Sequence, residues 1–224
     1  MGLIWGAEYF EYVQLWRSVW FSGFYGQGKT SLAVYTALEL ARRKGYKVIS
    51  NIPLWPERAG YDVWVITDPQ PSDFRSAVVL IDEAADVFDA YQFRSRLIRY
   101  IKYLRHRDLI LLLPSVDEVH KRLRKLCVQR VLNLEAFLGI PVWVYRWWRG
   151  PSLTPPAKKG ITGLFAWWVD EEVFGVYDST HSGVGLSTDR ILAALAESIG
   201  QTHAALVEED LLAPGIAEGE WGED

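Results

Sequence analysis

The stretch GFYGQGKT at residues 23–30 restricts what this chain can fold into more than any other. Gly23, Gly28, Lys29 and Thr30 satisfy the pattern G-x-x-x-x-G-K-[ST], which carries its physical meaning only between a strand and a helix. Both flanks fit. Residues 18–22 read as a short buried strand. Residues 30–43 read as a helix rich in Ala and Leu, with Arg42, Arg43 and Lys44 near its negative end and Gly45 as a stop. Between them lie Gly23, Phe24, Tyr25, Gly26, Gln27 and Gly28, a loop whose glycines let successive N–H groups turn inward toward phosphate oxygens. The helix N-terminus adds its positive end. Lys29 then reaches the terminal phosphates, Thr30 holds Mg²⁺, and Ser31 joins them in the first helical turn. A chain this long meets the pattern by accident on the order of one time in a hundred. A glycine turn with an incidental lysine is therefore the weaker reading once the flanks are counted.

A second element fits the first. AVVLIDEA, residues 77–84, is an apolar run ending in two acids, and Asp82 at its end would sit beside Thr30 to hold hydrated Mg²⁺. Glu83 says more than Asp82. A carboxylate directly after the metal-associated acid can orient a water for in-line attack on the γ-phosphate, which an ATPase requires and a kinase must avoid. The plainer reading of Glu83 is an acid at a helix N-terminus, stabilised by the dipole.

The rest of the chain alternates. Residues 5–16 suggest a short helix with Tyr9, Val13 and Trp16 on one side; 47–52, 62–67, 77–81 and 109–113 suggest strands, with Pro53 ending the first. Residues 93–106 and about 117–131 suggest charged helices. Strand and helix alternating at these lengths predict an α/β fold with a mostly parallel sheet covered by helices. From Arg149 the character changes: RGPSLTPPAKKG cannot continue a helix and reads as a loop or linker. Residues 161–169 and 173–177 flank Asp170, Glu171 and Glu172 as a candidate hairpin. A helix capped by Ser187 or Thr188 would carry Ile191, Leu192, Leu195 and Ile199 as one stripe and stop at Gly200. The expected organisation is a nucleotide-binding core over 1–148, a linker, hairpin and helix over 149–200 packing on it, and an acidic, mobile tail over 201–224.

Charge is divided along the chain. All 24 Lys and Arg precede residue 191, while eight of the 28 acids follow it. Residues 94–130 hold eleven basic side chains against Asp108, Asp117 and Glu118, which is where a polyanion would sit unless this is merely a solvated helix face. Cys127 is the single cysteine, so no intramolecular disulfide forms and a cytoplasmic setting fits. No apolar stretch approaches the ~20 residues of a membrane-spanning helix. The four histidines show no metal-ligand spacing. Trp143, Trp147, Trp148, Trp167 and Trp168 read as core or subunit-interface aromatics rather than base-stacking ones.

GFYGQGKT, SNIP at 50–53, VVLIDEA at 78–84, RHRD at 105–108, VDEVHKRLRKL at 116–126 and VFGVYDS at 173–179 resemble, in that order, the zonular-occludens-toxin-like ATPases of filamentous phages. Those belong to the FtsK–HerA class of DNA-pumping P-loop ATPases. The resemblance implies a RecA-like core that binds and hydrolyses ATP with Mg²⁺. It implies a homo-oligomeric ring, a pentamer or hexamer, acting on double-stranded DNA through its phosphates. Arg94, Arg96, Arg99, Lys102, Lys121, Arg122 and Lys125 are the candidates to line the channel. Arg105 and Arg124 match family arginines that would reach a neighbouring subunit's γ-phosphate. Two features depart from the family. Ser115 stands where an amide usually senses the γ-phosphate, and the membrane-spanning segment that follows the ATPase part in these proteins is missing. The soluble relatives of this size are genome-packaging ATPases of icosahedral viruses with an internal membrane. The expected function is therefore packaging of viral DNA into a preformed capsid, in the host cytoplasm or at a virion's packaging vertex, with a capsid-vertex or membrane protein as partner. Filamentous-virion extrusion, a small-molecule kinase and a nucleotide switch are the alternatives.

Overall fold

A computed structural model describes residues 3–5, 7–87, 104–117, 129–134, 142–147, 163–168, 174–177 and 187–212. In chain order the elements are β1 (Leu3–Trp5), α1 (Ala7–Trp16), β2 (Ser18–Ser22), α2 (Lys29–Lys44), β3 (Lys47–Ser50), β4 (Val65–Ile66), β5 (Ala77–Leu80), α3 (Ala84–Val87), β6 (Leu109–Ser115), β7 (Gln129–Leu134), β8 (Val142–Trp147), β9 (Gly163–Trp168) and α4 (Thr188–Leu212). Short 3-10 turns occupy Pro56–Ala59 and Pro71–Asp73.

Continuous apolar runs demand cover on both faces, and β2, β5 and β6 are buried along their whole length. Among the described residues the strands form one sheet in the order β1-β9-β8-β7-β2-β6-β5-β3-β4. From β7 to β4 every pairing is parallel, while β8, β9 and β1 extend the β7 edge in antiparallel fashion. One face is covered by α2 and α1, where Tyr9, Phe10 and Val13 meet Leu32, Leu38 and Leu40 over Val19, Phe21, Val48, Val78, Leu80, Ile110 and Leu112. The other face receives α4 through Ile191, Leu195 and Ile199, packed over Trp20, Ile49, Val79, Leu111 and Leu113. The α/β class and the mostly parallel, helix-covered sheet agree with the sequence reading.

Several local expectations need correction. The hairpin is built by β8 and β9, on either side of the Pro-rich stretch, with Val142 opposite Trp168 and Trp147 opposite Gly163. Residues 174–177 instead cross to Leu54 and Trp55: Leu54 and Tyr177 form an antiparallel bridge, and Trp55 N–H donates to the Val176 carbonyl at 2.7 Å. A polar turn suggested a local hairpin, but longer-range pairing of two aromatic strands wins. The helix expected to stop at Gly200 continues to Leu212, because a helical glycine costs only about 1 kcal/mol and good helix formers follow it. Residues 129–131, assigned above to a charged helix, begin β7; the rest of that helix, and most of the one at 93–106, lie outside the described residues. The first residues of the expected 5–16 helix shift as well, since Trp5 ends β1. Strand β3 stops at Ser50, and Ile52 N–H turns back to Ser50 Oγ at 3.1 Å. The acidic residues beyond 212 also fall outside the described part.

Leu112 lies in β6, flanked by β2 and β5 inside the sheet, and is fully buried under α2. Leu112→Ala should cost about 2–5 kcal/mol in denaturant unfolding, with no change in the transition's cooperativity.

Candidate nucleotide site

Parallel strands deliver whatever follows them to one edge of the sheet, and ligands of open α/β sheets bind there. Loop 23–28 leaves β2, Asn51 leaves β3, Asp82 and Glu83 leave β5, and Ser115 closes β6. Register keeps these exits level, with Ser22 beside Ser115 and Ser50 beside Leu80.

The glycine loop bends through left-handed residues, Gly26 at φ 73° and Gly28 at φ 76°, which a side chain would oppose. Phe24 N–H donates to Gln27 Oε1 at 3.0 Å, and Lys29 Nζ donates to the Phe24 carbonyl at 2.9 Å. The lysine therefore spans its own loop. It is only 8% exposed, whereas Phe24 and Tyr25 beside it are 80% and 79% exposed. Burial lowers the Lys29 pKa, and the nearby charges of Glu83 and then Asp82 oppose that shift. A triphosphate entering the loop would replace one carbonyl with full negative charges, a stronger partner for the ammonium.

Thr30 Oγ1 donates to Asp82 Oδ1 at 2.9 Å. Burial pushes the Asp82 carboxyl up to about 6; the Thr30 hydrogen bond opposes this and the Glu83 charge adds to it. A half-buried carboxyl touching a hydroxyl offers the hard oxygen donors that Mg²⁺ takes, so the residues present fit the ion. Thr30 and Asp82 would hold it, and it would supply neutralisation of the β- and γ-phosphate oxygens.

Glu83 is exposed and holds φ at 49°, a left-handed conformation that costs a non-glycine residue on the order of 1–3 kcal/mol. Ser31, in the first turn of α2, pairs with the Tyr177 hydroxyl at 2.5 Å. Burial raises the Tyr177 pKa; the Ser31 hydrogen bond lowers it and the Asp82 charge raises it. Ser115 reaches the correct edge, but its hydroxyl donates to the Asp117 carbonyl at 2.7 Å. Arg105 lies at the opposite edge, before β6, donating to the Leu15 carbonyl at 3.4 Å. Arg124 and the channel candidates Arg94, Arg96, Arg99, Lys102, Lys121, Arg122 and Lys125 lie outside the described residues.

Three residues at this edge had no part in the site as read from the sequence: Asn51, Tyr177 and Thr188, the last named there only as a candidate helix cap. The SNIP and VFGVYDS stretches flagged two of them without assigning chemistry. Only the sheet register brings Asn51 against Asp82.

A strand, a glycine loop clasped by its lysine, and a threonine hydrogen-bonded to the acid of a neighbouring strand define a P-loop ATPase. A family model described as zonular occludens toxin (Zot) matches residues 62–184, more than half of the chain, and the chain belongs to that family. The N-terminal domain of zonular occludens toxin from Neisseria meningitidis shares the fold, with a TM-score of 0.51 at 16% identity over 72% of this chain and 98% of that one. The genome packaging NTPase B204 from Sulfolobus turreted icosahedral virus 2, in complex with ATP-gammaS, has a TM-score of 0.42 at 15% identity over 55% of this chain and 77% of that one. The flagellar accessory protein FlaH from Methanocaldococcus jannaschii has a TM-score of 0.47 at 10% identity over 60% and 78% of the two chains. No curated protein matches the sequence.

The raised Asp82 pKa fixes a sign. The folded chain binds a proton on this group more readily than the unfolded chain, so wild-type stability falls as pH rises from about 4 through about 6. Asp82→Asn should therefore raise the stability of the nucleotide-free chain at about pH 8, by on the order of 1–3 kcal/mol. The gain should shrink toward pH 4, and stabilisation by magnesium and ATP should disappear. Thermal melts across this range, with and without Mg-ATP, check it.

Proposed function

We propose that this chain is an ATP-hydrolysing motor that moves DNA during virus assembly. The carrying observation is the placement of Glu83. It directly follows the acid hydrogen-bonded to Thr30, is open to solvent, and acts on Lys29 ahead of Asp82. A carboxylate near the lysine that would hold the γ-phosphate, with water at hand, suits hydrolysis. A phosphoryl-transfer enzyme would need to keep that water out.

In this reading Lys29 binds the terminal phosphates and Glu83 orients the attacking water. Gly23, Phe24, Tyr25, Gly26, Gln27 and Gly28 supply the loop, Thr30 and Asp82 hold Mg²⁺, and Ser31 and Ser115 border the nucleotide. Because Ser115 already donates to Asp117, sensing of the γ-phosphate would require that bond to open. Work on DNA requires the basic run over 94–130 and a homo-oligomeric ring in which Arg105 or Arg124 completes the neighbour's site.

Two destinations for the DNA follow: a preformed capsid, as the sequence reading expected, or a virion extruded at a membrane. Family membership supports the second, since the matched region is the one shared with zonular-occludens-toxin proteins. Among the described residues no helix is long and apolar enough to cross a membrane, so extrusion would recruit a membrane partner or a further segment. The domain limit at 148 belongs to this proposal, whereas a limit at 200 falls inside α4, which runs on to Leu212.

Glu83→Gln should bind ATP within a few-fold of wild type and lose turnover by about 10²–10⁴. Duplex DNA should stimulate wild-type ATP hydrolysis, with oligomer mass recorded in the same samples. Slow turnover that ignores DNA would replace the motor with a nucleotide switch, and ADP release only with an added acceptor would indicate a kinase. Co-sedimentation with filled capsids or with envelope-bound assembly sites separates the two destinations.

A further inference from the structure

Asn51 is spent entirely on its neighbours. Its backbone N–H continues the β3–β5 ladder by donating to the Leu80 carbonyl at 3.3 Å. Beyond that point the side chain takes over. Oδ1 accepts the Asp82 N–H at 2.7 Å, and Nδ2 donates to the Asp82 carbonyl at 3.0 Å. The second Nδ2 hydrogen faces Thr188 Oγ1, the first residue of α4, at 3.2 Å. A primary amide has one acceptor end and two donor hydrogens, and each is matched here. Flipping it would set donor against donor at Asp82, so its orientation follows from its partners.

Asp82 is thus held at both ends of its own backbone by one rigid group from the next strand. The peptide unit so fixed is the one that leads into Glu83, which occupies a left-handed conformation that a free turn would abandon. The Asn51 side chain also ends at α4, so the helix covering the far face of the sheet is tied to the same point.

We propose that Asn51 is a positioning residue for the Asp82–Glu83 pair, setting the aim of the metal-holding carboxylate and of the water-orienting one, with Thr188 anchoring it from α4. This rests on the hydrolytic reading of Glu83. Asparagine suits the position for a geometric reason: serine is too short to span both backbone groups, and aspartate offers no donor.

The test compares wild type with Asn51→Ala, Asn51→Asp and Thr188→Val in three measurements: affinity for ATP without metal, the magnesium concentration that half-saturates turnover, and kcat. Asn51→Ala should leave metal-free ATP affinity within about twofold, raise the magnesium requirement about fivefold or more, and lower kcat at least about tenfold. Asn51→Asp, which keeps the acceptor for the Asp82 N–H and loses both donors, should behave similarly while retaining the wild-type melting temperature within a few degrees. Thr188→Val should fall between these and wild type. A purely structural role would lower the active fraction or the melting temperature and leave the magnesium requirement of the remaining activity unchanged. That result, or wild-type kinetics in both Asn51 variants, overturns the proposal. If Asn51→Ala does not fold, the aspartate variant alone decides. A wild-type chain that hydrolyses no ATP would instead strike the hydrolytic reading itself.

Discussion

The parallel register of β5 against β6 and β3 is the constraint on which this architecture turns. Side chains alternate across a strand, and Val78 and Leu80 face α2 while Ala77, Val79 and Ile81 face α4. Position 82 therefore inherits the α2 side, where the first helical turn presents Thr30. A slip of one residue would send the acid to the opposite face and bury its charge under α4. Position 83, continuing the same alternation, would point to the α4 side. Its left-handed backbone breaks the alternation at that step, and its charge is felt at Lys29. The strain at Glu83 and its reach toward the cleft are two aspects of one turn.

The opposite edge of the sheet is built for a different purpose. Arg17, Ser76 and Asp108 also hold positive φ, each immediately before β2, β5 or β6. All three are tied down. Arg17 pairs with Asp108 at 2.5 Å, Tyr46 donates to Asp108 at 2.7 Å, and Ser76 N–H donates to the Arg107 carbonyl at 2.9 Å. Backbone strain at that edge is offset by a network that fixes where the strands begin. At the nucleotide edge the corresponding support for Asp82 and Glu83 comes mainly from one side chain, Asn51.

What the sequence revealed and what it hid divide along the range of the interactions. The loop GFYGQGKT, its strand and its helix are local, and hydrophobic runs with a capping glycine were enough to place β2 and α2 within a residue or two. The stripe Ile191, Leu195, Ile199 likewise announced a covering helix. Pairings set by distant partners were not legible: β8 with β9 across the Pro-rich stretch, or residues 174–177 against Leu54 and Trp55, where the local signal pointed to a different hairpin. At the site, Lys29, Thr30, Asp82 and Glu83 came from motif chemistry. Asn51 did not, because nothing in SNIP says which neighbour its amide will meet until β3 and β5 are laid side by side. Tyr177 required a contact with Ser31 across 146 positions of chain.

The same register bears on Arg105. Strand β6 has seven residues, which at about 3.3 Å each separate its two ends by roughly 20 Å. Arg105 precedes that strand and the nucleotide loop lies past its far end, a gap well beyond the reach of an arginine side chain. Arg105 therefore cannot serve the nucleotide held by its own chain. Any part it takes in hydrolysis must be played in a neighbour, which requires the amino edge of one sheet to face the carboxyl edge of the next. The ring proposed above would satisfy that relation for every subunit at once. The proposed trans role of Arg105 and the proposed ring therefore stand or fall together.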